Sequence, residues 1–552
     1  MSVRAAPSTP SSVAQGEGSS LAGRLSKVLP KGHQFGIQHL STPPTQTDSL
    51  YSAPPGERDD RTYCENHFLA VTIDANRTTT SHDPKATATD TAVTPGPVLV
   101  FAIEVLIYTT AYSSTFFVSK ADSTGYLALL DLPKGTPSPL RDICTTFLAH
   151  LVQYRKRKGL QCVVSLFARA QDQYLFPLSV QNKTKHVLDD RGLVRWWCRV
   201  LHPLVDTSST GGAWADVKGY LVVPGLDKYE TRAFLPRTGD GESRWVLNHP
   251  LEKISRYTRE YDWVPARCLI PSFPDDPKSR YRDELDEEAN RSKLLRTSGM
   301  WKSVRSLDQF WEMMAFRQEC SSGRLTGFIW VVFDPERQGK GSRTSTGAGT
   351  LNAPNAPSTP PSTTPGEPSA GLYSTPRKLF PTSGRTPKGV PSKTRRREKA
   401  KRKKRLTGPI RPRQPNIKTH QRNYLLDHPT STAYYYWPLD GRGRRIIGEP
   451  GYKRSIELLL HLDFSTLDRA KTSTKRWVSE VGMGEDWVVD VVGTRELAAS
   501  SGMPTAASGG TVNDLSGLVK RKRDRGPGVD GTEQPTKVNV LGAGLVRKKP
   551  KQ

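Results

Sequence analysis

Paired cysteines, membrane-length apolar runs and glycine-rich phosphate loops are all missing from this 552-residue chain, and each absence removes a class of function. The six cysteines (Cys64, Cys144, Cys162, Cys198, Cys268 and Cys320) are widely separated, with no Cys-x-x-Cys pair and no nearby paired histidines. A structural zinc site or a dithiol redox motif is therefore not expected, and the cysteines read as buried thiols of a reducing compartment. No segment is apolar over the roughly 20 residues that a membrane span needs, and the Ser-, Pro- and Gly-rich start lacks an apolar signal core. The expectation is an intracellular, soluble protein without a membrane association. Gly-x-Ser-x-Gly, His-Glu-x-x-His and the P-loop are also missing. One Arg-x-x-Gly-x-Gly match, Arg523 to Gly528, lies in a polar tail with no preceding strand, so it reads as chance.

What is abundant is positive charge and turn-forming residues. The formal net charge is +27, with 43 Pro and 45 Gly. Ten Lys or Arg against one Glu fall between Lys393 and Arg405, so a third of the net charge sits in one short run. Such runs, with Lys520 to Arg523 and Arg547 to Lys549, read as nuclear localisation signals, as arms for nonspecific nucleic-acid contact, or as solubilising linkers. Aromatics are not interleaved with the charge, which argues against stacking on single strands.

Periodicity gives the folded part. Leu21 to Leu29 is spaced as a short helix, and Phe68 to Ile73 and Val98 to Tyr108 read as strands. The second is so apolar that it belongs at the centre of a sheet covered on both faces. Phe116 to Val118, Cys162 to Phe167, Tyr220 to Val223 and Thr326 to Phe333 are further strands. Helices are predicted over Pro139 to Gln153, Leu193 to Leu201 and Arg282 to Thr297. Ser306 and Gln309 form a capping box for another, with an apolar face of Phe310, Met313, Met314 and Phe316 ended by Gly323. Interleaved strands and helices argue an α/β layered domain. The organisation read from composition is a disordered tail at 1–20 and a first folded part at 21–335. A disordered Pro-, Ser- and Thr-rich, then basic, insertion follows at 336–408. A second folded part spans 409–492, where a helix is expected from Thr466 to Val481, and a disordered basic tail spans 493–552.

Phe273-Pro-Asp-Asp-Pro-Lys-Ser-Arg280 is the most informative stretch, because two prolines hold paired carboxylates in a turn beside Lys278 and Arg280. Its ordinary structural reading is the start of a helix, where the macrodipole favours acidic residues. Its functional reading is a carboxylate that handles the proton of an amine nucleophile. Trp196 and Trp197 stand about 100 degrees apart on a helix, so they do not face one core pocket in the same way; the pattern reads first as two core aromatics, and otherwise as one that packs while the other lines a cavity.

Six motifs in one order carry a resemblance: Val118-Ser-Lys-Ala-Asp-Ser-Thr-Gly125, Gln173-Tyr-Leu-Phe-Pro-Leu-Ser179, Lys185-His-Val-Leu188, Arg195-Trp-Trp197, Asp275-Asp-Pro-Lys278 and Phe310 to Gly327. Together they resemble the fungal "regulator of Ty transposition" histone acetyltransferase family. The resemblance implies a single catalytic domain with a central mixed sheet wrapped by helices, similar to the CREB-binding-protein acetyltransferases. It also implies acetyl transfer from acetyl-CoA to histone H3, mainly its core lysine fifty-six and also tail lysines, with no metal. The partners implied are H3–H4 and histone chaperones, in the nucleus, in replication-coupled chromatin assembly and the response to DNA damage.

By the same resemblance Asp276 is the catalytic acid or base, Asp275 a supporting charge, Trp197 part of the substrate-lysine channel and Asp122 a member of the same site. Lys278 matches the lysine that such enzymes acetylate on themselves. Acetyl-CoA is expected against Ala121, Asp122 and Ser123, against His186, Val187 and Leu188, and against Trp196; Phe167 and Gln171 follow from spacing alone. These residue types suit the chemistry. A lysine amine, with a pKa near 10.4, is nucleophilic in about one molecule in a thousand at neutral pH, a handicap on the order of 4 kcal/mol. A carboxylate that takes its proton, or an aromatic channel that desolvates the ammonium, reduces that handicap. The rival readings are a non-catalytic chromatin scaffold that works through its basic segments, and an acetyl-CoA-binding pseudoenzyme.

Overall fold

In the computed structural model, residues 20–74, 96–133, 136–206, 214–237, 243–291, 299–321, 323–335 and 424–497 are described. The expected disorder at 1–19, 336–408 and 498–552, and all three basic runs, lie outside them.

Eleven strands form one mixed sheet: β1 (Gln34–Ser41), β2 (Thr45–Thr47), β3 (Thr62–Asp74), β4 (Pro97–Thr109), β5 (Ser113–Ser123), β6 (Gln161–Ala168), β7 (Asp216–Val222), β8 (Trp245–Val246), β9 (Gly327–Asp334), β10 (Arg445–Ile446) and β11 (Val489–Val492). The main path is β10-β1-β3-β4-β5-β6-β9-β7-β8. Antiparallel pairs dominate; β5 with β6, β7 with β8 and β1 with β10 are parallel. As its composition predicts, β4 is central, with every residue from Val98 to Ile107 buried.

Alternation along the strands sorts the core into two layers. Leu166, Ile329 and Leu221 face α3 (Asp190–Val205), which carries Val194, Trp197 and Leu201. Phe328, Trp330 and Tyr220 face the other way, against α4 (Pro277–Arg291) and α5 (Leu307–Met314). A side-chain period of two makes this division inevitable once both faces are covered. The mixed sheet flanked by helices is the expected fold class.

The helices α1 (Leu21–Val28) and α2 (Pro139–Tyr154) form where the spacing places them. α4 starts five residues before the predicted Arg282, because Pro277 takes the first helical position, where a missing N–H costs nothing. In α5, Ser306 Oγ accepts the N–H of Gln309 (3.2 Å), but the Gln309 side chain reaches back to Arg305 N rather than closing the box. Its expected apolar face is only half right: Phe310 and Met314 are buried, whereas Met313 and Phe316 are exposed.

The chain after 423 returns to the far edge of the sheet. α6 (Glu449–Leu460) and α7 (Leu467–Gly482) pack over β4, with the Tyr452 hydroxyl donating to Glu104 and the Thr474 hydroxyl accepting the N–H of Leu99, each at 2.9 Å. β10 and β11 together cover the outer edge of β1. Ordered contacts continue past the expected limit at 492: Lys31 N donates to Arg495 O (2.8 Å), and Arg495 pairs with Asp142. A buried polar cluster fastens this return. Arg155 Nη2 bonds both Glu65 Oε2 (2.7 Å) and Gly441 O (2.9 Å), His67 meets Glu65 and His39, and His150 meets Asp440 O.

That cluster gives a pH prediction. Burial lowers the pKa of His39 and His67, the latter against the opposing Glu65 charge, and brings His150 down to about 3, so the fold disfavours protonation of all three. The unfolded chain takes up more protons below about pH 6.5 than the folded one does. Stability is therefore complete above that value and lost as pH falls, by up to about 1.4 kcal/mol per pH unit for each histidine. Denaturant midpoints from about pH 7 to about pH 5 should fall steadily, and a flat profile would contradict the assignment.

Candidate functional site

The site is made by two strands that part. β5 and β6 pair from Ser113 with Gln161 to Val118 with Leu166, and there the pairing stops. β5 continues to Ser123 on β4 alone, after a bulge at Ser119, between Val118 opposite Val105 and Lys120 opposite Glu104. An extra residue bends its strand and increases the local twist. The result is a cavity of about 450 Å³ between the end of β5, the end of β6 and the first turns of α3.

Every residue expected to hold acetyl-CoA lines it: Ala121, Asp122 and Ser123 from β5, Phe167 and Gln171 from the β6 exit, His186, Val187 and Leu188 from the loop before α3, and Trp196. Trp197 lines it too. The two indoles meet edge to face at 4.9 Å, so both reach the cavity, although the pattern alone placed at most one there.

Asp122 organises these walls. Its Oδ2 accepts the N–H groups of Tyr174 (2.7 Å), Leu175 (2.9 Å) and Phe176 (3.2 Å). Its Oδ1 accepts Ser123 N (2.7 Å) and the Lys185 ammonium (2.9 Å), which also donates to Ser179 Oγ. Gly125, at φ +90°, lets the Lys185 segment close in, since a Cβ there would lie 2.6 Å from the Lys185 backbone. Lys185 and Arg169 are functional candidates that the sequence reading missed. Arg169 lines the cavity and its Nε is buried without a hydrogen-bond partner among the described residues. A donor held this way suits an oxygen-rich ligand such as a phosphorylated acyl carrier, and the apolar Phe167, Leu188 and Trp196 suit its alkyl portion.

The Asp275–Lys278 turn lies apart from these walls. Asp276 is fully buried, caps α4 by accepting the Lys278 N–H (3.0 Å), and is ion-paired with the buried Lys278 ammonium. The helix-start reading of this stretch therefore holds, and its carboxylate is paired with the neighbouring cation. Lys278 Nζ sits among the rings of Phe273, Phe328 and Trp330, 5.1 to 5.9 Å from their centroids. Burial pushes the Asp276 carboxyl up and the Lys278 ammonium down, each opposed by the other's charge. A run of stacked rings links the pair to the cavity wall: Phe273 on Phe117 at 4.2 Å, and Phe117 on the wall residue Phe167 at 6.3 Å. Asp276 and Lys278 themselves do not line the cavity. Asp275, in the left-handed region at φ +59°, is 76% exposed and lies 3.8 Å from the cavity-lining Lys120.

An apolar cavity with the Asp275 carboxylate near its rim can seat a thioester and receive an amine. Among the described residues no group of His, Cys, Asp or Glu could hold a metal, and no helix is long and apolar enough to cross a membrane. Residues 21–163 and 155–480 match the family "Histone acetyltransferase KAT11-type domain". The chain is 37% identical to the histone acetyltransferase rtt109 of Aspergillus flavus, across 96% of this chain and 98% of that one. It is 35% identical to that of Schizosaccharomyces pombe, across 42% and 56%. A crystal structure of Rtt109 from Aspergillus fumigatus aligns at a TM-score of 0.60 and 36% identity, covering 86% of this chain and all of the other.

Proposed function

This chain belongs to the KAT11-type histone acetyltransferase family, and on that premise we propose that the cleft between β5 and β6 is where it carries acetyl from acetyl-CoA to histone H3. An acetyl-CoA-dependent histone acetyltransferase acting on chromatin is the family's activity, so the scaffold and pseudoenzyme readings give way to it. The finer reading assigns H3 lysine fifty-six as the main acceptor, with tail lysines also modified. Histone chaperones present H3–H4, and the work belongs to chromatin assembly and DNA damage in the nucleus. The motif resemblance supports that reading, and the basic runs add nonspecific nucleic-acid contact.

The observation that carries the site assignment is the convergence of ten expected residues, Trp197 included, on one cavity. Acetyl-CoA supplies an activated acyl group as a thioester. Ala121 to Ser123 offer strand backbone that has no β6 partner, and His186 to Leu188 with Trp196 form the opposing wall. Trp197 lines the lysine channel, where its indole excludes water around the amine. Asp122, its oxygens already occupied by five donors, acts as a positioning residue rather than a proton acceptor. Asp276 is the proton handler of the resemblance, yet Lys278 holds its carboxylate. Acetylation of Lys278 removes that cation and leaves a neutral amide among three rings. The freed, buried carboxylate then has the raised proton affinity that a general base at neutral pH needs. Asp275 supplies a supporting charge at the rim.

The test incubates the full chain with labelled acetyl-CoA, H3–H4 and a histone chaperone, comparing wild type with Asp276→Asn and Trp197→Ala. Histone labelling should drop by about 100-fold or more in the first and substantially in the second, and peptide mapping should find acetyl on Lys278 of the wild type. Unchanged labelling in both variants would sink these roles.

A further inference from the structure

A second cavity, of about 850 Å³, opens at the C-terminal end of β7 and has no part in the chemistry described above. One wall is α5. Asp308, Trp311, Glu312 and Ala315 line it, the spacing of one helical face. His249 stacks on Trp311 at 5.8 Å, and Phe316, 78% exposed, stands at the edge.

Two independent features point to a ligand here. Trp311 is more than nine-tenths buried, yet its indole N–H has no acceptor among the described residues; neither has His249 Nδ1 a partner. An unmet buried donor costs about 1–3 kcal/mol, so an incoming acceptor is favoured. Around it, Asp308 and Glu312 are exposed and neither is paired with a cation among the described residues, while only Lys228 opposes them on the lining. A negative groove on a chain of net charge +27 selects a cationic partner.

The sheet register locates the groove. Phe167, at the acyl-donor cavity, pairs with Phe328 of β9, which pairs with Val222 at the second cavity. Both cavities therefore lie at the same end of the sheet, one walled by α3 and the other by α5 on the opposite face. A segment that reaches both crosses the end of the sheet, at least two strand spacings or about 10 Å, which takes roughly three extended residues or more.

We propose that this groove docks a lysine- or arginine-bearing extended segment of the histone substrate, away from the lysine that is acetylated. A main-chain carbonyl of the segment accepts the Trp311 N–H, and its cationic side chain lies between Asp308 and Glu312. This rests on the histone reading above and adds a second point of contact, which sets which lysine reaches the cleft.

The test is steady-state kinetics of the full chain with H3–H4, on wild type, on Asp308→Lys with Glu312→Lys, and on Trp311→Phe, which keeps a ring but loses the donor. Charge reversal should raise the KM for histone about tenfold, leave kcat at saturating histone and the KM for acetyl-CoA unchanged, and lose its effect as salt rises. Trp311→Phe should raise the histone KM by a smaller factor. Labelled H3–H4 titrated by fluorescence anisotropy should weaken in parallel. An unchanged histone KM in the charge-reversal variant would overturn the groove. A lowered one would also overturn it, because the chain's own basic run at Lys393 to Arg405 would then be the occupant. Failure of the wild type to label histone at all would instead overturn the histone reading beneath it.

Discussion

Asp122→Ala is expected to raise the KM for acetyl-CoA by about a hundredfold, the largest effect of any single change in the cavity wall. One carboxylate there accepts five hydrogen bonds, three of them from consecutive backbone N–H groups at Tyr174 to Phe176 and one from the Lys185 ammonium. Hydrogen bonds to a charged group contribute about 1.5–3 kcal/mol each, and losing the shared acceptor strands several donors at once. Those donors belong to the segment from Tyr174 to Phe176 and to the loop at Lys185 to Leu188, so the damage falls on the shape of the cavity. Asp122→Asn should do less, since one amide oxygen still accepts backbone N–H groups, but its NH₂ cannot satisfy Lys185. Equilibrium binding of acetyl-CoA separates this from chemistry. If binding holds while kcat collapses, Asp122 is a proton handler after all.

Asp276→Asn carries the second large effect, and it falls on stability as well as activity. Removing one member of a buried ion pair leaves the other uncompensated, a loss of about 3–5 kcal/mol. The same side chain also caps α4. Lys278→Met in the same chain removes the stranded cation and fills the aromatic box, so the double variant should recover most of the lost stability in denaturant unfolding. It should not recover histone acetylation, because the carboxylate is still gone. Recovery of activity with stability would show that Asp276 only holds the fold together.

Strand and helix positions were legible wherever the pattern was local. The apolar run of β4, the period of α2 and the cap at Ser306 each announce themselves within a dozen residues. β1 did not, because its buried residues include Gln38 and His39, whose partners Thr72 and His67 lie far along the chain. β10 and β11 are too short to carry a period and exist only because β1 offers an edge. The turn at Asp275 to Lys278 is legible as a helix start; the burial of Lys278 within it comes from Phe273, Phe328 and Trp330, two of them on a strand fifty residues on. Likewise, Lys185 gave no local sign of meeting Asp122 across 63 residues. The cavity-lining residues themselves were reached through the resemblance, since no spacing in the sequence shows that β5 and β6 part after Val118.

The placement of the acyl donor is tested most directly by hydrogen–deuterium exchange of the full chain with and without acetyl-CoA. Exchange should slow at Val118 to Ser123 and at Lys185 to Leu188, with no change at Leu221 to Asp227 beside the second cavity. Exchange unaltered in the first two segments, or slowed only in the third, would contradict it.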